Sequence, residues 1–279
     1  MRPSDEAIGK PIIRSRVHVI NLVPMVGMQP QVMWKYFNWN NPRFLIHEYI
    51  GAIATASNEL VSYQVVSEST VIRPFPLVDG YQYSEQELLE VIQHKKDGHT
   101  PSAADYKSIL TSEILRDIRL KKIDEVWVMG YPYAGLWEAA MGGPDPYNVN
   151  GGPIMGTQGA GRRFVVMGFN YERGVGEMLE SFGHRVESTL ARTFDGHEFL
   201  YWLYDRKNYG HVSRPARDEW EQFLIDEGTV HREAGAPALQ NGQPADYFWH
   251  HGIEEHHRRW LGSLLADWWK RIVNVNDYF

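Results

Sequence analysis

The chain has 279 residues, of which 43% are hydrophobic and 23% charged, a composition typical of soluble globular proteins. Cysteine is absent, which excludes disulfide scaffolds, thiolate zinc sites and a cysteine nucleophile. The net charge of −7 argues against nucleic-acid binding, because phosphate contacts need a basic surface. No apolar stretch reaches membrane-spanning length, so we expect a soluble protein with no membrane partner. It would be extracellular or periplasmic if a leader has been removed, and otherwise cytoplasmic.

The N-terminal part of the chain alternates between strand and helix patterns. The run "VHVINLVPMV" (17–26) is rich in β-branched residues and predicts a buried strand. Segment 40–58 has Pro42 near its start and apolar residues at helical spacing, which predicts a helix. Segment 59–73 predicts a second strand.

Two helices are predicted next. Segment 84–94 opens with Ser84, and Glu87 follows three residues later, which is the capping-box pattern of a helix N-terminus. Segment 102–122 has the periodicity of one long amphipathic helix.

Two further apolar runs complete the pattern and predict an α/β fold. We expect a mostly parallel sheet flanked by helices in a Rossmann-like, three-layer arrangement. The predicted strands lie near 17–24, 61–67, 124–130 and 163–169. Residues 1–279 are expected to form a single domain, in which about 195–279 form a helical extension rich in Trp and His.

Polar and aromatic residues follow two of the predicted strands. In open α/β sheets, ligands bind at the carboxyl ends of the strands. The third strand leads to Glu138 and to a glycine- and proline-rich loop at 142–161, and the fourth leads to Glu172. Long irregular loops in compact domains are often functional. The predicted substrate-binding residues are Tyr131, Trp137, Asn148, Asn150 and Arg173, with Asp79 in a turn after the second strand.

The stretch "YERGVGEMLESFGHRVES" (171–188) carries the densest group of charges that follows a strand. On a helix, Glu177, Glu180, His184 and Glu187 fall within roughly 80° of arc, opposite an apolar face. One interpretation is the solvated face of an amphipathic helix. The other is a set of ligands or acid/base groups, because spacings of three and four aim several side chains at one ion or proton.

A second cluster of histidine and glutamate lies in "FWHHGIEEHHRRWLGSLLADWWKR" (248–271). It does not contain the His-Glu-x-x-His pattern of metallopeptidases. A solvated amphipathic helix with its tryptophans in the core is the more typical structure for such a segment, and metal binding is the alternative.

The segments "EVWVMGYPYAGLWEAAMGGP" and "RRFVVMGFNYERGVGEMLESFGHRVES" resemble a group of bacterial proteins, many of them secreted, that have no assigned activity. The resemblance covers about half of the chain, including "DGYQY" upstream, and ends before the C-terminal third. It implies that the regions around Glu138 and 172–187 belong to one unit in an extracellular setting. No functional residue carries over from it.

Two classes of function fit these patterns. The first is a hydrolase with Glu138, Glu172, Glu180 and His184 as catalytic candidates. Glu138 and Glu172 would form an acid/base pair acting on a glycan or glycoside, since paired carboxylates break glycosidic bonds. A metal-dependent hydrolase or peptidase would instead hold a divalent ion with His184 and Glu187. The second class is a non-catalytic module that binds glycans or peptides through the same aromatic residues.

Overall fold

The computed structural model describes residues 13–57, 59 and 61–193. The helical extension predicted from about residue 195, with the cluster at 248–271, lies outside these residues. The strands are β1 (Ile13–Leu22), β2 (Met25–Val26), β3 (Gln31–Val32), β4 (Val61–Val71), β5 (Glu125–Gly130), β6 (Ala139–Gly142) and β7 (Phe164–Asn170). The α-helices are α1 (Met33–Tyr36), α2 (Pro42–Ala56), α3 (Glu85–Ile92), α4 (Tyr106–Ile109), α5 (Ser112–Arg119) and α6 (Val175–Thr193).

The main sheet has five strands in the order β4-β1-β5-β7-β6. Its first four strands pair in parallel, which confirms the four predicted strands and the mostly parallel α/β class. The short edge strand β6 pairs antiparallel to β7 and was not predicted from the sequence. Every residue of the central strand β5 is buried, as expected for a strand covered on both faces. The Rossmann-like, three-layer arrangement stays a prediction.

The helix starts follow local capping signals. Asn41 accepts a hydrogen bond from the backbone N–H of Arg43 at the start of α2, and Pro42 occupies the first helical turn. Ser84 accepts from the backbone N–H of Glu87 and caps α3. Both helices therefore begin where the sequence predicted.

The prediction of one long helix over 102–122 is wrong. The segment forms two short helices, α4 and α5, separated at Leu110, whose ψ of 77° leaves the helical region. Thr111 then caps the second helix by accepting a hydrogen bond from the backbone N–H of Ile114. Threonine in the middle of an amphipathic pattern competes for backbone hydrogen bonds, so it can start a new helix instead of continuing the old one.

A buried ion pair joins α6 to the central strand. Arg185 is fully buried, and its Nη1 and Nη2 atoms donate to the two carboxylate oxygens of Glu125 at 2.8 and 3.0 Å. The Glu125 carboxylate also accepts hydrogen bonds from Tyr63 and Trp127 on the same side of the core. This bidentate pair holds α6, the helix that carries Glu180 and His184, against the sheet.

No helix within the described part of the chain has the length and apolarity needed to cross a membrane.

Candidate functional site

A cavity of about 200 Å³ lies at the carboxyl ends of β5 and β7. This is the place where open α/β sheets bind their ligands. The loop after β5, the end of β7 and the first turns of α6 all contribute to its wall. The polar and aromatic lining residues include Tyr131, Tyr133, Glu138, Asn170, Arg173 and Glu180.

Glu138 presents a carboxyl group to this cavity just before β6 begins. Partial burial raises the pKa of this carboxyl group, whose side chain is still 44% exposed, and the negative charge of Glu180 acts in the same direction. The charges of His184 and Arg173 and a hydrogen bond from Asn150 oppose that rise. A carboxyl group with a raised pKa is the usual choice for a general acid, because it keeps its proton closer to neutral pH.

His184 lies beside the cavity, between two carboxylates. Its Nε2 atom is 3.7 Å from Oε1 of Glu180, one helical turn earlier, and 4.0 Å from Oε2 of Glu138. Because both distances share the Nε2 atom, the two carboxylate oxygens are at most about 8 Å apart. The spacing of four residues indicated the first contact from sequence, but the approach of Glu138 depends on the packing of α6 against β6.

The first turn of α6 is stabilised by Glu177, which the sequence placed on the charged face but not among the site residues. Its Oε2 atom accepts a hydrogen bond from the backbone N–H of Gly174 at 3.0 Å. This is one half of a capping box, in which an acidic residue three positions into a helix reaches back to the helix start. Glu177 is 8% exposed and lines the cavity. Its spacing from Gly174 was the signal that could have identified this role.

Arg173 lines the cavity at the turn between β7 and α6. Its backbone N–H donates to the carbonyl of Asn170, and its carbonyl accepts from the side-chain amide of Asn40 at 2.9 Å. Asn40 also donates its backbone N–H to the carbonyl of Tyr171. The turn that carries Arg173 is therefore held by the segment before α2, a connection that no sequence pattern indicated.

Two tyrosines form part of the cavity wall. Tyr131 is buried, and its hydroxyl oxygen accepts a hydrogen bond from the backbone N–H of Phe75. Burial raises the pKa of Tyr131, so its hydroxyl stays neutral. Tyr133 is 39% exposed. The backbone of Tyr133 has a positive φ of 67°, which no sequence pattern predicted.

Several predicted substrate-binding residues lie outside the cavity wall. Trp137 is 47% exposed but does not line the cavity. Asn148 accepts a hydrogen bond from the backbone N–H of Asn150, which donates its side-chain amide to Oε2 of Glu138. Asp79 lies elsewhere, with its Oδ2 atom 2.7 Å from Nε2 of His99.

Glu172 also does not line the cavity. Its Oε2 atom accepts a hydrogen bond from the side-chain amide of Asn170 at 3.2 Å, and its backbone N–H donates back to the side-chain oxygen of the same residue. The charged groups that affect Glu138 are His184, Glu180 and Arg173. Pairing of Glu138 with Glu172 stays a prediction, and the structure offers Glu180 as a partner.

The described residues contain no preformed site of the kind that a metal-dependent hydrolase would need. No group of three or more His, Asp or Glu side chains among them is arranged to hold a metal ion. The side chain of Glu187, the second predicted ligand beside His184, lies outside the described residues.

Comparisons with protein-family profiles, with curated proteins and with solved structures found no match. Any functional assignment therefore depends on the chemistry of the site itself.

Proposed function

We propose that the protein is a hydrolase that cleaves a glycosidic bond with a pair of carboxyl groups. The observation that carries this proposal is the approach of Glu138 and Glu180 to the same imidazole of His184, at the edge of one cavity. An upper limit of about 8 Å for the separation of their oxygens is compatible with either glycosidase geometry, about 5 Å in retaining enzymes and about 6.5–9.5 Å in inverting ones.

Glu138 is the general acid in this proposal. Burial raises the pKa of its carboxyl group, which favours the protonated form that donates to the leaving oxygen as the C–O bond breaks. Glu180 is the second carboxylate. It acts as the base that activates a water molecule, or as the nucleophile if the pair is close enough. His184 lies within 4.0 Å of an oxygen of each carboxylate and, when protonated, stabilises the negative charge that each carries during the cycle.

The size and lining of the cavity support a sugar as the substrate. Its volume lies below the range of pockets that hold drug-sized ligands, so it suits a single ring. The tyrosines at 131 and 133 offer aromatic surface, and Asn170 and Arg173 offer hydrogen-bonding groups for hydroxyls. A single-ring cavity favours cleavage of a terminal sugar.

A panel of nitrophenyl glycosides and reducing-end assays on oligosaccharides tests the proposal. Glu138→Gln and Glu180→Gln should each lower kcat/KM by about 10²–10⁴-fold, the usual contribution of a positioned acid or base. Glu113→Gln is the matched control, because that glutamate is 76% exposed on α5. Glycan binding without turnover, unchanged in Glu138→Gln, would instead support a non-catalytic binding module.

A further inference from the structure

We propose that Asn150 is a positioning residue, whose side-chain amide fixes the carboxyl group of Glu138 at the cavity and makes no contact with substrate. This inference rests on the proposed function of Glu138. It gives Asn150 a different role from the substrate contact that its sequence position suggests.

The contact itself is the first observation. The side-chain amide of Asn150 donates a hydrogen bond to Oε2 of Glu138. Glu138 lines the cavity and Asn150 does not, so the amide approaches the carboxyl group from outside the substrate space. A residue in that place can hold the acid but is poorly placed to touch a bound sugar.

The loop that carries Asn150 is built onto the residues on either side of Glu138. The backbone N–H of Gly151 donates to the carbonyl of Ala139 at 2.7 Å. A Cβ atom added to Gly151 would lie 2.5 Å from that carbonyl oxygen and 2.7 Å from Cβ of Trp137. Only glycine allows the backbone at position 151 to approach these atoms so closely. This close packing places Asn150, the preceding residue, beside Glu138.

The backbone of Asn150 is the third observation. Its φ is +92°, a conformation that side chains of L-residues rarely adopt. The side-chain oxygen of Asn148 accepts a hydrogen bond from its backbone N–H at 3.1 Å and closes a local turn. Glycine would adopt this backbone at lower cost, so an asparagine in this conformation beside the candidate acid points to a role for its side chain.

The chemistry explains why an amide is useful there. A general acid must give its proton to the leaving oxygen as the C–O bond breaks. It must then regain a proton, from the water that attacks the anomeric carbon if Glu180 is the nucleophile, or from solvent if Glu180 is the base. Burial favours the protonated form of Glu138, whereas the hydrogen bond from Asn150 favours the carboxylate. The two effects oppose each other, so the proton can leave and return. The side-chain amide of Asn150 also holds the carboxyl group of Glu138 in one orientation.

A carboxyl titration tests the contact without any substrate. Glutamate is labelled with ¹³C at the carboxyl carbon, the Glu138 signal is assigned with Glu138→Gln, and its pKa is measured in Asn150→Ala and Asn150→Gly. Both variants should raise the pKa of Glu138, since both remove a donor to the charged form. If Asn150→Ala does not fold because of the positive φ, the pKa of Glu138 can still be measured in Asn150→Gly. Asn38→Ala is the matched control, an exposed asparagine that also has a positive φ, 55°.

Kinetics separate positioning from substrate binding. Loss of positioning should lower kcat by roughly tenfold with little change in KM, and should move the alkaline limb of the pH profile upward. This loss is smaller than the loss from Glu138→Gln. A rise in KM with unchanged kcat and an unchanged Glu138 titration would show that Asn150 binds substrate, and the proposal would be wrong.

Failure of this inference and failure of the proposed function give different results. A shifted Glu138 titration in a protein that cleaves no glycoside would leave the contact established and remove the glycosidase assignment. Glycoside cleavage that depends on Glu138, with the same titration in wild type and Asn150→Gly, would keep the enzyme and remove the positioning role.

Discussion

Removal of the buried guanidinium in Arg185→Met should destabilise the protein strongly. Glu125 and Arg185 are 2% and 0% exposed, and they are joined by two hydrogen bonds of 2.8 and 3.0 Å. Loss of one partner leaves a buried carboxylate without its counter-charge, which typically costs about 3–5 kcal/mol. Tyr63 and Trp127 still donate to the carboxylate, so we expect a loss near 3 kcal/mol, at the lower end of this range.

The measurement is the free energy of unfolding from urea denaturation followed by circular dichroism, together with Tm. A loss of this size should lower Tm on the order of 10 °C in a chain of this length. The double variant Arg185→Met/Glu125→Leu removes both charges and should be more stable than Arg185→Met alone, because no charge is then left unpaired in the core. The control is Arg116→Met, which removes the surface ion pairs with Glu113 and Asp117, each typically worth under about 1 kcal/mol.

A free energy of unfolding for Arg185→Met within about 0.5 kcal/mol of wild type would refute this reasoning. The same would follow if the double variant were less stable than the single one. The prediction also bears on the site, since Arg185 directly follows His184 on α6. A folded Arg185→Met protein should bind and turn over substrate less well than wild type.

Four further outcomes are expected. Glu138→Gln should be at least as stable as wild type at pH 7. Burial raises the folded-state pKa of Glu138, so the stabilising contribution of this residue is complete only below about pH 4. That contribution is lost as pH rises through the folded-state pKa. Thermal unfolding of the two proteins across pH 4–8 should show this difference growing with pH, and a constant difference would contradict it. Gly135→Ala should destabilise by about 2 kcal/mol or more in urea, because its φ is +73° and an added Cβ would lie 2.0 Å from the carbonyl oxygen of Ser102. His184→Ala, at a side chain 40% exposed, should change stability by under about 0.5 kcal/mol while lowering glycoside turnover, and unchanged turnover would remove it from the site. Thr111→Ala removes the cap of α5 and should cost about 1 kcal/mol, measured by urea unfolding.

Features that depend on neighbours along the chain could be predicted from the amino-acid sequence. Runs of β-branched and apolar residues indicated β1, β5 and β7, because a strand buried on both faces needs apolar side chains on both. The edge strand β4 is largely exposed, and its β-branched residues alone indicated a strand. Pro42 and Ser84 marked helix starts, because proline fits the first helical turn and a cap bonds to a backbone N–H only three residues away. The spacing of Glu180 and His184 predicted a contact between residues one helical turn apart. The segment 102–122 was predicted wrongly because its periodicity continues across the threonine that restarts the helix.

Contacts between residues far apart in the chain depend on how whole elements pack. Glu138 reaches His184 because the short strand β6 pairs antiparallel to β7 and thereby approaches the helix that follows β7. Glu125 and Arg185 are 60 residues apart in the chain, and no local pattern marks either as buried. Periodicity along a chain is set by backbone geometry within a few residues, whereas the partner of a charged side chain is set by how whole elements pack. The sequence therefore indicated the elements that carry the candidate site, and their packing brought together Glu138, Asn150, Glu180 and His184 from among its candidates.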